Sequence, residues 1–117
     1  MDARGATDEV DLNAIEQAID NALARRIAVP ARSIIDDGTD TLVQHLRSLL
    51  EIDYGQDDDG GAGVRALFRV AYRNLDVAVR PTPGTSQHSA YTYWRNIAGL
   101  TAAFRDLYLK LEAMEQA

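Results

Sequence analysis

A chain of 117 residues with a net charge of −6 has the length of one domain, enough to bury about two-thirds of its unfolded surface without covalent staples. It contains no cysteine, which excludes disulfides, thiolate metal sites and cysteine nucleophiles. The acidic balance argues against a general binder of nucleic acid or anionic membranes, and no apolar run approaches the ~18 residues of a membrane span.

The opening MDARGATDEVD has neither the basic start nor the apolar segment of a signal peptide, so the cytoplasm is the expected location. Residues 1–8 read as a flexible tail and residues 9–117 as a single helical domain. Asp8 or Asp11 is placed to cap a first helix of about Val10 to Ile27, in which Leu12, Ile15, Ile19 and Leu23 recur at helical spacing and Ala22 widens the apolar face. Pro30 stops it. PARSIIDDGTD is expected as a connection with at most a short helical turn, Ile34 and Ile35 plugging the bundle end. Asp40 or Thr41 then caps a second helix, about Thr41 to Ile52, turned inward by Leu42, Leu46, Leu49 and Leu50.

DYGQDDDGGAG mixes acids with glycines and reads as a mobile, solvated loop. A third helix, about Val64 to Val79, offers Val64, Leu67, Phe68, Ala71, Tyr72, Leu75 and Ala78 to the core. RPTPGTSQ breaks it, because Pro81 and Pro83 forbid continuation, and Thr85 or Ser86 caps the last helix. That helix, His88 to Met114, carries the longest periodic series: Ala90, Tyr93, Ile97, Leu100, Phe104, Leu107, Leu111 and Met114, with Trp94, Thr101 and Tyr108 alongside. It would span about 40 Å. No stretch alternates with the period of a strand. The expected fold is all-α, an antiparallel four-helix bundle with a long C-terminal helix.

Several residue groups bear on chemistry. Asp57-Asp58-Asp59-Gly60 has the look of a calcium loop, but setting Gly60 at the sixth position leaves Gly55 and Ala66 where a first carboxylate and a bidentate glutamate are required. No metal and no cofactor is therefore expected. His45 falls inside the apolar arc of its helix, either as a general base or ligand contact or as a core-edge histidine bonded to a carbonyl; His88 reads as a surface residue. With Tyr72, Trp94 and Tyr108, His45 defines a candidate pocket between helices two, three and four. Arg65, Arg69 and Arg73 step by four along helix three and Arg80 follows, a candidate anion contact or a solvated face balancing the acidic loop. No helix-turn-helix, Gly-rich phosphate cradle or Ser/His/Asp arrangement is apparent.

A second apolar ridge on helix three, Ala66, Val70 and Val77, together with Tyr91 and Leu109 near Ala98 and Ala102 on helix four, forms a candidate homodimer interface. The loop around Ile34 and Ile35 could instead cover it. The leading functional expectation is a protein-interaction or regulatory module that self-associates, with the balance against catalysis but the question open. The alternatives are a small-molecule binder or enzyme using the His45 pocket, and a nucleic-acid contact through the arginine stripe.

TLVQHLRSLL, VRALFRVAYRNLD and YWRNIAGLTAAFRDLYLKLE, in that order and with a Pro/Gly break before the last, resemble a family of small helical proteins of unknown function from Streptomyces-type actinobacteria. The matching positions are Leu46–Arg47, Ala66–Leu67, Asn74–Leu75–Asp76 and Tyr108–Leu111, within a span of residues 10–112. The resemblance implies a helical fold and carries no activity with it.

Overall fold

A computed structural model describes residues 10–116. Among them the chain forms four α-helices and a 3-10 turn: α1 Leu12–Leu23, α2 Arg32–Leu50, α3 Ala62–Leu75, the turn Val77–Val79, and α4 Gln87–Gln116. The tail expected over residues 1–8, and Asp8 as an alternative cap, lie outside the described residues.

Asp11 caps α1, its Oδ1 accepting from the Ala14 N–H at 3.1 Å. Ile15, Ile19 and Ala22 are buried, but the helix stops at Leu23 instead of reaching Ile27. Beyond Ala22 the apolar face has nothing to pack on: Leu23 is half-exposed and Ile27 fully so. Arg26 folds back to donate to the Asn21 carbonyl at 2.7 Å, satisfying an end carbonyl that no further turn would reach.

The largest departure from expectation is α2, which begins at Arg32, well before Thr41. Ile35, Thr39, Leu42, Leu46 and Leu49 are all buried, an inward series that runs through the acidic, glycine-containing stretch without interruption. Thr41 caps nothing; its hydroxyl donates to the Asp37 carbonyl inside the helix. Ile35 is a core residue of α2, whereas Ile34 is half-exposed and plugs no bundle end.

The 51–61 segment also differs from a loose loop. Tyr54 is half-buried, its hydroxyl donating to the Leu49 carbonyl, and Gly61 is buried. A Cβ on Gly61 would lie 2.5 Å from the Gly55 carbonyl oxygen. These glycines allow backbone to stack on backbone, with Asp57, Asp58 and Asp59 left on the outside.

α3 ends at Leu75 because the Asp76 carboxylate accepts from the Ala78 N–H at 3.0 Å and starts a separate turn. Ala78 is consequently exposed, and Tyr72, expected inside, is 57% exposed; Phe68, Ala71 and Leu75 hold the buried side. Ser86 caps α4, accepting from the Ser89 N–H. Seven α4 residues are buried between Ala90 and Phe104. Leu107, Tyr108 and Leu111 are half-buried, and Met114, at the end of the expected core series, is exposed.

α4 is the axis of the molecule. Its 30 residues make about 45 Å of helix, equal to the longest dimension of the protein, 45 Å. α2 packs most extensively on α4, and α1 lies against both. α3 has no comparable backbone approach. It is held through side chains: the Phe68 ring meets Phe104 edge-on with centroids 5.1 Å apart, and Tyr54 leans on both.

Candidate functional site

The four residues of the anticipated pocket do not converge on one cavity. Trp94 is fully buried, with Gly38 of α2 on its indole and the Arg26 guanidinium 5.1 Å from the ring centroid. Tyr72 lies on the outside of α3 with Phe68 as its ring neighbour. The Tyr108 hydroxyl donates to Glu112 one turn along α4. His45 is half-buried on α2, where loss of hydration pushes its pKa below the ordinary value against the opposing pull of Asp11.

The arginine stripe is likewise divided. Arg65 donates to the Gln56 carbonyl and tethers the 51–61 turns, Arg69 and Arg73 stay exposed on α3, and Arg80 lines a separate groove. Of the anticipated interface, the α4 side is largely occupied by α1. Arg95 reaches the Ala24 carbonyl, Arg105 pairs with Glu16, and Ala98 between them is fully buried. Tyr91 meets the Trp94 ring edge-on and accepts a hydrogen bond from Arg95. Leu109, Val70 and Val77 remain exposed, and Ala66 half-buried. Because Ile34 and Ile35 belong to α2, no loop around them lies over the α3 ridge.

Three surface depressions are built well enough to consider. Between α3 and α4, Val70, Asn74, Asn96, Gly99 and Leu100 line a groove of about 340 Å3. Gly99 is in the interior of α4, and a Cβ added there would meet nothing within 4 Å. The chain's own packing therefore gives no reason for a residue that costs a helix interior about 0.5–1 kcal/mol relative to alanine.

At the end of α1, Arg25, Arg26, Ile27, Tyr91 and Arg95 surround an open depression of about 500 Å3. Burial pushes the Tyr91 phenol up, but hydrogen bonds and charge from Arg95 and Arg26 outweigh it and lower its pKa. Arg26 and Arg95 also donate to carbonyls at the end of α1 and lie over the Trp94 and Tyr91 rings. The cluster is thus accounted for as the cap of a helix C-terminus, where cations are favoured.

The largest groove, about 520 Å3, runs between the first turns of α2 and the segment leading into α4; Arg32, Asp36, Thr39, Asp40, Val43, Arg80, Pro81, Thr82 and Pro83 line it. Arg32 fixes its rim. That guanidinium pairs with Asp36 at 2.8 Å and donates to the Thr85 and Thr82 carbonyls at 2.7 Å each. Gln87 adds a bond to the Pro30 carbonyl. Two buried groups on this groove, the Thr39 hydroxyl and the Arg80 Nε–H, have no hydrogen-bond partner.

The groove does not follow from PARSIIDDGTD as a connection, since Arg32, Asp36 and Thr39 share a wall only when α2 includes them. The visible signal was Arg80-Pro81-Thr82-Pro83, a stiff segment with a charge at its head. Among the described residues, no group of three or more histidines or carboxylates is arranged to hold a metal ion, and no helix is long and apolar enough to cross a membrane. Comparison with protein-family models, curated proteins and solved structures gives no match.

Proposed function

We propose that the protein is an interaction module that self-associates, two copies pairing through the groove between α3 and α4. The observation that carries this reading is Gly99 beside exposed Val70: a helix-interior glycine with open space over it, in a groove that also contains the half-buried Leu100. A small residue at such a place admits close approach of another chain. Charge supports a second copy as the occupant. Asp57, Asp58 and Asp59 precede α3, while Arg69 and Arg73 are exposed along it. A two-fold axis that sets two α3 helices antiparallel brings each arginine pair toward the other copy's acidic turn.

The reading includes an antiparallel bundle in each copy. It is supported by pairs that run in opposite order along α1 with its C-cap and α4 (Glu16 with Arg105, Ala24 with Arg95) and in the same order along α2 and the chain from Thr85 into α4 (Arg32 with Thr85, Gly38 with Trp94). A cytoplasmic location and kinship with the actinobacterial helical family belong to the same proposal and assign no activity. Sedimentation at tens of micromolar tests it. The parent protein is expected to sediment as a dimer and Val70→Glu as a monomer; a parent that stays monomeric as concentration rises refutes the proposal.

A further inference from the structure

We propose that the groove between α2 and the Arg80–Pro83 segment is a binding site for a small zwitterionic amino-carboxylate of roughly dipeptide size. This site is separate from the self-association surface and does not depend on it.

Two groups on the groove are left unsatisfied by the fold. Thr39 is 8% exposed, and its hydroxyl finds no donor or acceptor in the protein. Arg80 Nε–H on the facing wall is buried in the same condition. Buried polar groups are nearly always paired, and an unpaired one carries a desolvation penalty that a ligand atom removes. The Arg80 Nε–H can only donate and the Thr39 hydroxyl can donate as well, so an acceptor suits both. Beside a guanidinium, a carboxylate is the acceptor that gains most.

The groove also carries negative charge. Asp36 and Asp40 line it, and Asp36 is already paired with Arg32. Among the described residues Asp40 has no ion pair, and no carboxylate pairs with Arg80. One guanidinium that meets the Tyr93 hydroxyl but no carboxylate, and one carboxylate without an ion pair, in a single groove match a molecule with an ammonium at one end and a carboxylate at the other. Val43, Pro81 and Pro83 supply apolar wall between them, suited to an apolar side chain. A volume of about 520 Å3 falls in the range of small-molecule sites, ~300–1,000 Å3.

The rim is formed before any ligand arrives. Besides the Arg32 bonds, the turn at its edge is closed on itself, Thr82 N–H donating to the Thr85 hydroxyl and Thr85 N–H to the Thr82 carbonyl at 2.9 Å each. Two prolines further limit its motion. Binding therefore orders little of the protein, which favours affinity for a small molecule.

The test is a titration of the isotope-labelled full chain with alanyl-leucine, followed by amide chemical shifts. N-acetyl-alanyl-leucine, which lacks the ammonium, and alanyl-leucinamide, which lacks the carboxylate, are titrated in parallel. Alanyl-leucine is expected to shift the Thr39, Asp40 and Arg80 amides saturably, with a dissociation constant at or below about 1 mM. Each singly charged analogue should bind about tenfold more weakly or worse, as should alanyl-leucine to Arg80→Gln and to Asp40→Asn. Thr39→Val keeps the side-chain shape; it should weaken binding without lowering the melting temperature, because the hydroxyl serves no partner in the fold. No saturable shift, equal binding of the three compounds, or an Arg80→Gln protein that binds as the parent does would each overturn the assignment.

Discussion

Gly38 and Trp94 illustrate how one residue can be read for the wrong reason. In sequence, Gly38 between acids and a threonine has the chemistry of a turn. In the fold it is a helix-interior residue lying flat on the indole, where a Cβ would come within 2.6 Å of Trp94 Cε2, Cζ2 and Nε1. Gly38→Ala would gain about 1 kcal/mol of helix propensity but lose more to overpacking, about 1–3 kcal/mol, so a net loss in denaturant stability is expected. Trp94→Ala should cost about 3–5 kcal/mol, a large part of the ~5–15 kcal/mol typical of a domain. In the double variant the two losses should not add, since alanine at position 38 then occupies space the indole has left. Strict additivity in urea melts would mean that the two residues do not share one contact.

His45 yields a pH dependence whose sign follows from its lowered pKa. Burial favours the neutral imidazole, so the unfolded chain, titrating near pH ~6.5, binds the proton more tightly than the folded one. The contribution of this residue is fully present above that value and is lost as pH falls through it toward the lowered folded value. Urea unfolding at about pH 8 and about pH 5.5 should show a decrease that is smaller in His45→Gln. An equal decrease in both proteins would place the effect elsewhere.

At the scale of elements, α3 should be the least protected helix. Phe68, Ala71 and Leu75 are its buried residues, and its tie to α4 runs through the Tyr54, Phe68 and Phe104 rings and the Tyr93 hydroxyl, which donates to the Asn74 carbonyl. Local opening requires the loss of few contacts. Amide exchange should therefore be faster in α3 than in the buried turns of α2 and α4, and faster again in Phe68→Ala; an α3 protected as well as α4 would contradict this view of its attachment. The same element shows what was legible. The apolar spacing located all four helices and nearly all of the α4 core, because tertiary burial follows the helical period. It placed Tyr72 inside, since periodicity states which side a residue is on but not how far a neighbouring helix extends over that side. The start of α2 was hidden because local turn chemistry and helical periodicity pointed in opposite directions over 34–41, and burial of Ile35 and Thr39 settled the matter for the helix. Of the site residues, Val70 was readable as exposed apolar surface. The Thr39 and Arg80 groove was not, because it depends on two segments far apart in sequence being brought together by Arg32.

For the whole molecule, the distinguishing experiment is one in which monomer and dimer respond with opposite signs. Gly99→Ala adds a methyl where the single chain has open space and removes the flexibility of glycine in the unfolded state, so the monomer should gain about 0.5–1 kcal/mol. The same methyl projects into the groove beside Val70, where the second copy is proposed to approach, and should weaken the dimer. Raised salt should weaken it further, since the proposed pairing of Asp57–Asp59 with Arg69 and Arg73 would join exposed side chains, whose attraction is screened within about 8–10 Å at ordinary ionic strength. Sedimentation and urea melts of the parent and Gly99→Ala, each at low and high salt, separate the possibilities. A variant more stable in dilute solution yet less associated places the interface on this groove. A variant that is more stable and equally associated moves the interface away from Gly99, while one that is less stable means the space over Gly99 is filled in solution by the chain itself.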